Sequence, residues 1–306
     1  MLTPMEPAYR AALADGRLHR ALREAWSRLA SCDLCPRRCG VDRLRGEEGF
    51  CRTGRRARVA SAGPHFGEEG PLVGSGGSGT IFLSGCNLRC RFCQNWELSW
   101  EGEGAEMLPH RLADTMLDLQ ARGCHNVNLV TPSHVVPQLL AAVVLATRKG
   151  LCLPLVYNSS GYDSVDTLGL LDGVIDLYMP DMKWVDPTAG ERLAGAPDYW
   201  DATREAVREM HRQVGDLVLD RRGIALRGLL VRHLVMPDGL AGTGRVMEFL
   251  ATEVSRDTYV NVMAQYRPVG EAWELPPLDR RITRAEHAHA LAEARRAGLR
   301  RIDGEP

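Results

Sequence analysis

Lysine is almost absent from this sequence. Of its 38 basic residues, only Lys149 and Lys183 are lysines, and all the others are arginines. An ammonium is a compact point charge, whereas a guanidinium is a broad planar fork. Because the sequence otherwise uses arginine, we interpret Lys183 as a position that needs the smaller cation.

The chain also lacks an excess of charge of either sign, since its formal net charge is −1. No overall field would therefore attract nucleic acid or an anionic membrane. The start of the chain has no basic, apolar pattern of a signal peptide. The uncharged stretch Asn126–Thr147 contains two Asn, two Pro, His and Gln, which fits a buried strand and helix better than a membrane span. We expect a cytoplasmic protein that binds neither nucleic acid nor membrane.

Nine cysteines remain to be explained, because a cytoplasmic chain of this length does not need structural disulfides. Cys124 and Cys152 stand alone in apolar segments, and we expect both to be plain core residues. The other seven form two tight groups, an arrangement that indicates metal binding. The groups are Cys32, Cys35, Cys39 and Cys51, and then Cys86, Cys90 and Cys93.

Short apolar runs alternate with helical patterns over most of the chain, which predicts parallel βαβ units and an α/β fold. Six such units are too few for a closed eight-stranded barrel, so the pattern predicts a partial, open (βα)6 barrel. The predicted strands are Thr80–Ser84, Asn126–Val130, Leu153–Asn158, Val174–Met179, Gly228–Val235 and Tyr259–Ala264. Functional residues should follow the carboxyl ends of these strands.

Three segments are expected along the chain. An amphipathic helix from about Pro7 to Ser31 lies within residues 1–31. Residues 32–79 form a small cysteine-rich segment with a glycine-rich entry, and residues 80–306 form the partial barrel. Gly74–Gly79 matches the G-x-G-x-x-G pattern, but it precedes a strand instead of following one. We therefore reject a dinucleotide site and interpret these glycines as a flexible entry to the barrel.

The strongest motif is C-x3-C-x2-C, formed by Cys86, Cys90 and Cys93 directly after the first predicted strand. Three thiolates on one loop can bind three irons of a [4Fe–4S] cluster and leave the fourth iron open. A zinc site would need a fourth cysteine or histidine close by, and none follows. A thioredoxin-like C-x-x-C would stand alone and begin a helix.

This motif and its position resemble the signature of the radical S-adenosylmethionine (SAM) superfamily. The chain looks most similar to the branch of the pyruvate formate-lyase activating enzyme, in a subgroup with an extra N-terminal cysteine segment. The resemblance implies an oxidoreductase in which the open iron binds the amino and carboxylate groups of SAM. It also implies that Phe92, before the third cysteine, packs against the adenine.

Further residues extend the resemblance around the predicted strand ends. Thr131 stands where the family has a Gly-Gly-Glu turn that holds the SAM amino group, so this chain departs from the family pattern there. Asp181 and Lys183 resemble the Asp-x-Lys element of the activating enzymes, with a structural ion pair as the alternative. Arg232 stands where related activators have a basic residue near the SAM carboxylate. Other candidate contacts are Asn158 or Ser160, which could equally be part of a turn, and the segment Met263–Tyr266.

The cysteines of the N-terminal group provide four ligands within 20 residues. Four thiolates suit either Zn²⁺ or a second [4Fe–4S] cluster. The alternative is four reduced cysteines that pack against the barrel.

The resemblance implies reductive cleavage of SAM and abstraction of hydrogen from a substrate. The favoured substrate is a glycine of a partner enzyme, which would become a glycyl radical, with a flavodoxin- or ferredoxin-type protein as electron donor. Modification of another protein, peptide or small molecule is the alternative enzymatic function. A non-catalytic Fe–S electron carrier is the alternative from a different class, and it would need neither an open iron nor a SAM pocket.

Overall fold

The computed structural model describes residues 6–304, which contain ten α-helices and ten β-strands; the ends of the first and last predicted segments, 1–5 and 305–306, lie outside them. The helices are α1 (Ala8–Ala14), α2 (Arg17–Ser27), α3 (Gly70–Val73), α4 (Pro109–Ala121), α5 (Val136–Arg148), α6 (Val165–Gly169), α7 (Pro187–Ala194), α8 (Tyr199–Val214), α9 (Thr243–Phe249) and α10 (Arg284–Ala297). The strands are β1 (Ala57–His65), β2 (Ser78–Leu83), β3 (Ala105–Met107), β4 (Val127–Val130), β5 (Leu155–Ser159), β6 (Leu177–Pro180), β7 (Val218–Leu219), β8 (Ala225–Leu234), β9 (Tyr259–Met263) and β10 (Arg301–Asp303).

All ten strands belong to one mixed sheet, in the order β10-β9-β8-β6-β5-β4-β2-β1-β3, with β7 paired to β8. The run from β2 to β10 is parallel and follows chain order without a reversal. At one side of this run, β1 pairs antiparallel with β2, and β3 pairs antiparallel with β1. The predicted α/β class is therefore confirmed, and the carboxyl ends of the parallel strands meet along one edge.

Both faces of the central parallel strands β2, β4, β5 and β6 are largely buried, as their continuous apolar runs predict. On one face, Ile81, Leu129 and Val231 pack with the helices in the largest apolar cluster. On the other face, Val156 and Leu230 belong to a smaller cluster. In β5, β6 and β8, alternate residues thus serve two different cores, which explains why strict hydrophobic alternation is missing there.

The smaller cluster is covered by helix α3, which directly precedes the glycines Gly74–Gly79. Leu72 of α3 is 1% exposed and packs with Val156 and Leu230. The glycines that precede β2 therefore follow a packed helical turn, and Ser78 and Gly79 already belong to the strand. Gly74–Gly77 therefore lie between a packed turn and β2, and their interpretation as a flexible entry to the barrel stays a prediction.

Other details also differ from the sequence-based expectations. The predicted single helix over Pro7–Ser31 is two helices followed by a 3₁₀ turn, because Gly16 takes a left-handed conformation between them. Strand β1 was missed, and through it the sheet crosses the expected boundary at residue 79. Cys124 is buried as expected, whereas Cys152 is exposed. None of the described helices is both long and apolar enough to span a membrane.

We predict that Leu72→Ala lowers the free energy of unfolding by about 2–5 kcal/mol, the usual cost of truncating a buried leucine. Urea denaturation followed by circular dichroism measures this change. Phe66→Ala, in the loop between β1 and α3, is the matched control. Phe66 is 63% exposed, so truncating its side chain should change stability little. Equal, small effects of the two substitutions would mean that the segment is not packed.

Candidate active site

A tight glycine turn connects β2 to the three-cysteine loop. Gly85 has φ +80°, a conformation that side chains rarely adopt. A Cβ atom at this position would lie 2.6 Å from the carbonyl oxygen of Cys51 and 2.8 Å from Oγ1 of Thr53. The chain can therefore turn from the strand into the cysteine loop only because residue 85 is glycine.

The thiols of the loop are shielded from solvent. Cys86 and Cys90 are buried, and Cys93 is partly exposed. The backbone N–H groups of Leu88 and Arg89 lie 3.3 and 3.4 Å from Sγ of Cys86 and donate to it. Burial raises the pKa of Cys86 to about 11 and raises that of Cys90 further. These sulfurs will therefore be thiolates at neutral pH only when a positive centre compensates for the burial.

Polar residues follow three neighbouring strands at the edge where the cysteine loop lies. The register aligns Val130 with Asn158 and Ser159 with Pro180, so that the ends of β4, β5 and β6 are side by side. A cavity of about 230 Å³ opens between these ends and the loop. Its lining includes the following predicted residues: Cys86, Cys90, Phe92, Cys93, Thr131, Asn158, Ser160, Asp181, Lys183, Arg232, Met263 and Gln265.

A buried charge network forms one wall of this cavity. Lys183 Nζ donates to Asp181 Oδ2 at 2.6 Å, and Arg232 Nε donates to Asp181 Oδ1 at 2.8 Å. Arg232 Nη2 also donates to Asn158 Oδ1 at 2.7 Å. Burial alone would raise the pKa of Asp181, but the two cations outweigh it and hold that pKa below its usual value. Asp181 in turn raises the pKa of Lys183 despite burial, so the group is ionised at neutral pH.

The two cations differ in what they can still offer a ligand. Arg232 is held by Asp181 and Asn158, and its Nη1 lies 4.0 Å from Glu68 Oε2. The Lys183 ammonium has three donors, and Asp181 is its one hydrogen-bond partner among residues 6–304. Lys183 therefore keeps two of its three donors for a bound anion. Arg232 also keeps unbonded N–H groups, but in addition it links Asp181 to Asn158.

Phe92 lies in an aromatic cluster beneath the loop. Its ring makes edge contacts with Trp184 and Tyr266, at centroid distances of 5.8 and 6.2 Å. Tyr266 was expected in the wall of the site, but it is not among the residues that line the cavity. Its hydroxyl donates to the carbonyl of Leu278, and its ring packs against Phe92. The predicted segment Met263–Tyr266 thus divides into lining residues and a supporting residue.

Thr131 has φ +62°, a conformation that is costly for a β-branched residue. Its N–H donates to the carbonyl of Asn158 at 2.8 Å, which fixes the turn after β4 against the end of β5. Glycine adopts this conformation without strain. The backbone at residue 131 therefore adopts a conformation typical of glycine, although the residue is threonine.

Sequence reasoning missed several residues that support the site. The Tyr199 hydroxyl accepts from the N–H of Lys183 at 3.0 Å and lies 2.9 Å from the carbonyl oxygen of Ser160. Asn261 Nδ2 donates to Glu69 Oε1 at 3.1 Å, next to the contact between Glu68 and Arg232. No motif marks these residues, because each acts on a partner that is distant in the sequence.

The N-terminal cysteines do not join this site. Cys32, Cys35, Cys39 and Cys51 line a separate small cavity beside the loop. Within residues 6–304, no group of three or more His, Cys, Asp or Glu side chains is placed to hold a metal ion as the side chains stand.

Comparison with known proteins relates the chain to an archaeal protein. No family model matches it. The chain is 33% identical over 276 residues to the "Uncharacterized protein MJ0674" of Methanocaldococcus jannaschii, across 88% of this chain and 75% of the archaeal protein. This chain belongs to the family of that archaeal protein. The similarity extends over most of both sequences, so it covers the fold and not only one motif. The name of the archaeal protein states no activity.

The buried network predicts a large effect of Asp181→Asn on stability. Removing one partner of a buried ion pair leaves uncompensated charge and costs about 3–5 kcal/mol. Because the folded-state pKa of Asp181 is lowered, this stabilisation is present above the usual Asp pKa and is lost as the pH falls through the lowered value. The difference between wild type and variant should therefore be full at pH 7 and shrink in acid, as measured by urea denaturation.

Asp114→Asn is the matched control. Asp114 accepts from Lys149 at the same 2.6 Å distance, but both side chains are about half exposed. Solvent screens such a pair, so its loss should change stability little. Similar effects of the two substitutions at pH 7 would contradict the network described above.

Proposed function

We propose that this chain is a radical SAM enzyme that uses a [4Fe–4S] cluster to cleave SAM reductively. The observation that carries the proposal is the common cavity. Cys86, Cys90 and Cys93 line it together with the six residues that are predicted from the sequence to bind the cofactor. Those six are distributed over five separate parts of the chain: Phe92, Thr131, Asn158, Asp181, Lys183 and Arg232.

The cysteine loop fits an iron–sulfur cluster chemically. Its buried thiols need a positive centre to ionise, and the irons of a cluster supply one. The N–H groups that donate to Cys86 Sγ would stabilise the thiolate. Three cysteines leave one iron without a protein ligand, and the cavity in front of the loop gives that position room for a second cofactor.

The opposite wall fits SAM, which carries a carboxylate, an ammonium and a sulfonium. Lys183 has free donors for the carboxylate, and the Asn158 amide nitrogen has no partner among the described residues. The Ser160 hydroxyl is buried without a partner and lines the same cavity. Phe92 offers an apolar ring for the adenine. When bound, the cluster supplies the electron that breaks a carbon–sulfur bond of SAM, and these residues hold SAM in position and exclude water.

The fold supports the same proposal. Seven parallel strands in chain order, with helices on one face, agree with the partial (βα)6 barrel that the resemblance implies, extended by β10. The candidate site lies at the carboxyl ends of these strands, as expected. Activation of a partner enzyme at a glycine, and reduction by a flavodoxin- or ferredoxin-type donor, stay predictions from the resemblance.

The proposal predicts that Cys90→Ala abolishes cleavage of SAM. Anaerobically reconstituted wild-type protein, reduced with dithionite, should convert SAM to methionine and 5′-deoxyadenosine and show a [4Fe–4S] EPR signal that SAM perturbs. The variant should lose both properties, because the cluster loses one of its three thiolates. Chromatographic quantification of 5′-deoxyadenosine measures the outcome.

Cys152→Ala provides the control for this experiment, because Cys152 is exposed and lies outside both cysteine groups. It should cleave SAM at the wild-type rate. A wild-type rate in Cys90→Ala would refute the proposal. A cluster that forms in the wild type without any cleavage of SAM would favour an electron carrier instead.

A second prediction concerns the cation in the cavity. Lys183→Arg should lower the rate of SAM cleavage at least about tenfold, or ~1.4 kcal/mol in the barrier, because the broader guanidinium does not fit where the ammonium lies 14% exposed. Lys149→Arg, at the exposed lysine, is the matched control and should leave the rate unchanged. An unchanged rate in Lys183→Arg would mean that Lys183 has only a structural role, in its ion pair with Asp181.

A further inference from the structure

The N-terminal cysteines surround one small cavity. Cys32, Cys35, Cys39 and Cys51 all line it, and its volume is about 10 Å³. The loop closes on itself through the N–H of Cys32, which donates to Val41, and the N–H of Gly40, which donates back to Cys32. A Cβ atom at Gly49 would lie only 2.7 Å from Cys39 Sγ. Local backbone structure thus places the four cysteines around one cavity, in a segment that contains little apolar core.

Two buried acceptors without partners line the same cavity. The Asn87 amide nitrogen donates to the carbonyl of Tyr162 at 2.5 Å, while its Oδ1 has no partner. His134 Nε2 lies 2.9 Å from the carbonyl oxygen of Ser84, so this nitrogen carries the proton. The His134 Nδ1 atom is then a lone pair, buried and without a partner. Buried acceptors that lack donors are costly. A positive centre held by the four cysteines would lower that cost through its charge, without using these two atoms as ligands.

Positive charge already lies next to the sulfurs. Arg43 is 1% exposed and donates to the carbonyls of Gly54 and His134. Its Nη1 also lies 3.7 Å from Sγ of Cys32.

We propose that Cys32, Cys35, Cys39 and Cys51 bind a second, thiolate-ligated metal centre that is independent of the three-cysteine site. Its chemical class is that of metals that prefer sulfur, either one Zn²⁺ ion or an Fe–S cluster. The thiols turn toward the cavity on binding, and each sulfur that forms a metal bond releases its proton to solvent. Four protein ligands leave no open position, so this centre binds no substrate.

The position of this centre indicates what it does. The carbonyl of Cys51 packs against Gly85, and Arg37 Nε donates to the carbonyl of Asn87 at 2.9 Å. Both Gly85 and Asn87 belong to the loop of the other cysteine group. A metal that orders residues 32–51 therefore fastens this segment against the loop that carries Cys86.

The test uses the full-length chain without its other cysteine group. The variant Cys86→Ala/Cys90→Ala/Cys93→Ala is purified without oxygen and its metals are measured by mass spectrometry. It should retain about one zinc or about four irons per chain, and the zinc-to-iron ratio distinguishes the two. Adding Cys32→Ala and Cys35→Ala should remove this metal, whereas adding Cys152→Ala should not.

A second measurement uses the triple variant alone and does not depend on the stability of the variants with further cysteines removed. Cobalt(II), added to the metal-free triple variant, should produce thiolate-to-cobalt absorption that saturates at about one equivalent. Cys39→Ser should lower that absorption by about a quarter, because one of four thiolates is lost. A triple variant that is folded by circular dichroism but binds neither cobalt, zinc nor iron with sulfide would overturn the proposal. None of these outcomes depends on whether the chain cleaves SAM.

Discussion

The candidate site depends on one buried carboxylate, that of Asp181. It lies between Lys183 and Arg232 with little access to water, and each of its oxygens accepts a hydrogen bond from one of them. Two cations and one carboxylate in such a place are tolerable only if hydrogen bonds fix their geometry. Arg232 meets that demand by bonding Asn158 on the neighbouring side, so the network fixes the ends of β5, β6 and β8 relative to one another.

The same demand explains the surroundings of the network. A surplus of positive charge remains after Asp181 is counted, and Glu68 approaches Arg232 from the glycine-rich segment. Tyr199 holds the backbone at Lys183 from the other direction. The cavity is therefore organised before any cofactor enters it, because its charged residues are already held by partners from four parts of the chain.

Much of this arrangement follows from local sequence, and the rest from contacts between distant residues. The central strands were predicted because apolar runs report burial directly. Cys86, Cys90 and Cys93 were predicted because their spacing is contained in one loop, and Lys183 because lysine is so rare here, and all four line the same cavity. Strand β1, Tyr199 and Glu68 were missed, since their importance comes from partners far away in the chain. The left-handed conformation of Thr131 was equally invisible, because its residue type argues against it.

Leu72 also has a consequence for how the chain folds. It precedes all the parallel strands, yet its partners on them begin with Val156, about 80 residues further along the chain. At a synthesis rate of about 5–20 residues per second, those partners leave the ribosome roughly 4–16 seconds later. Contacts of this sequence separation form slowly, because a long loop must close first. Helix α3 is thus synthesised well before the strands that bury Leu72. During that interval the Leu72 side chain stays accessible to chaperones.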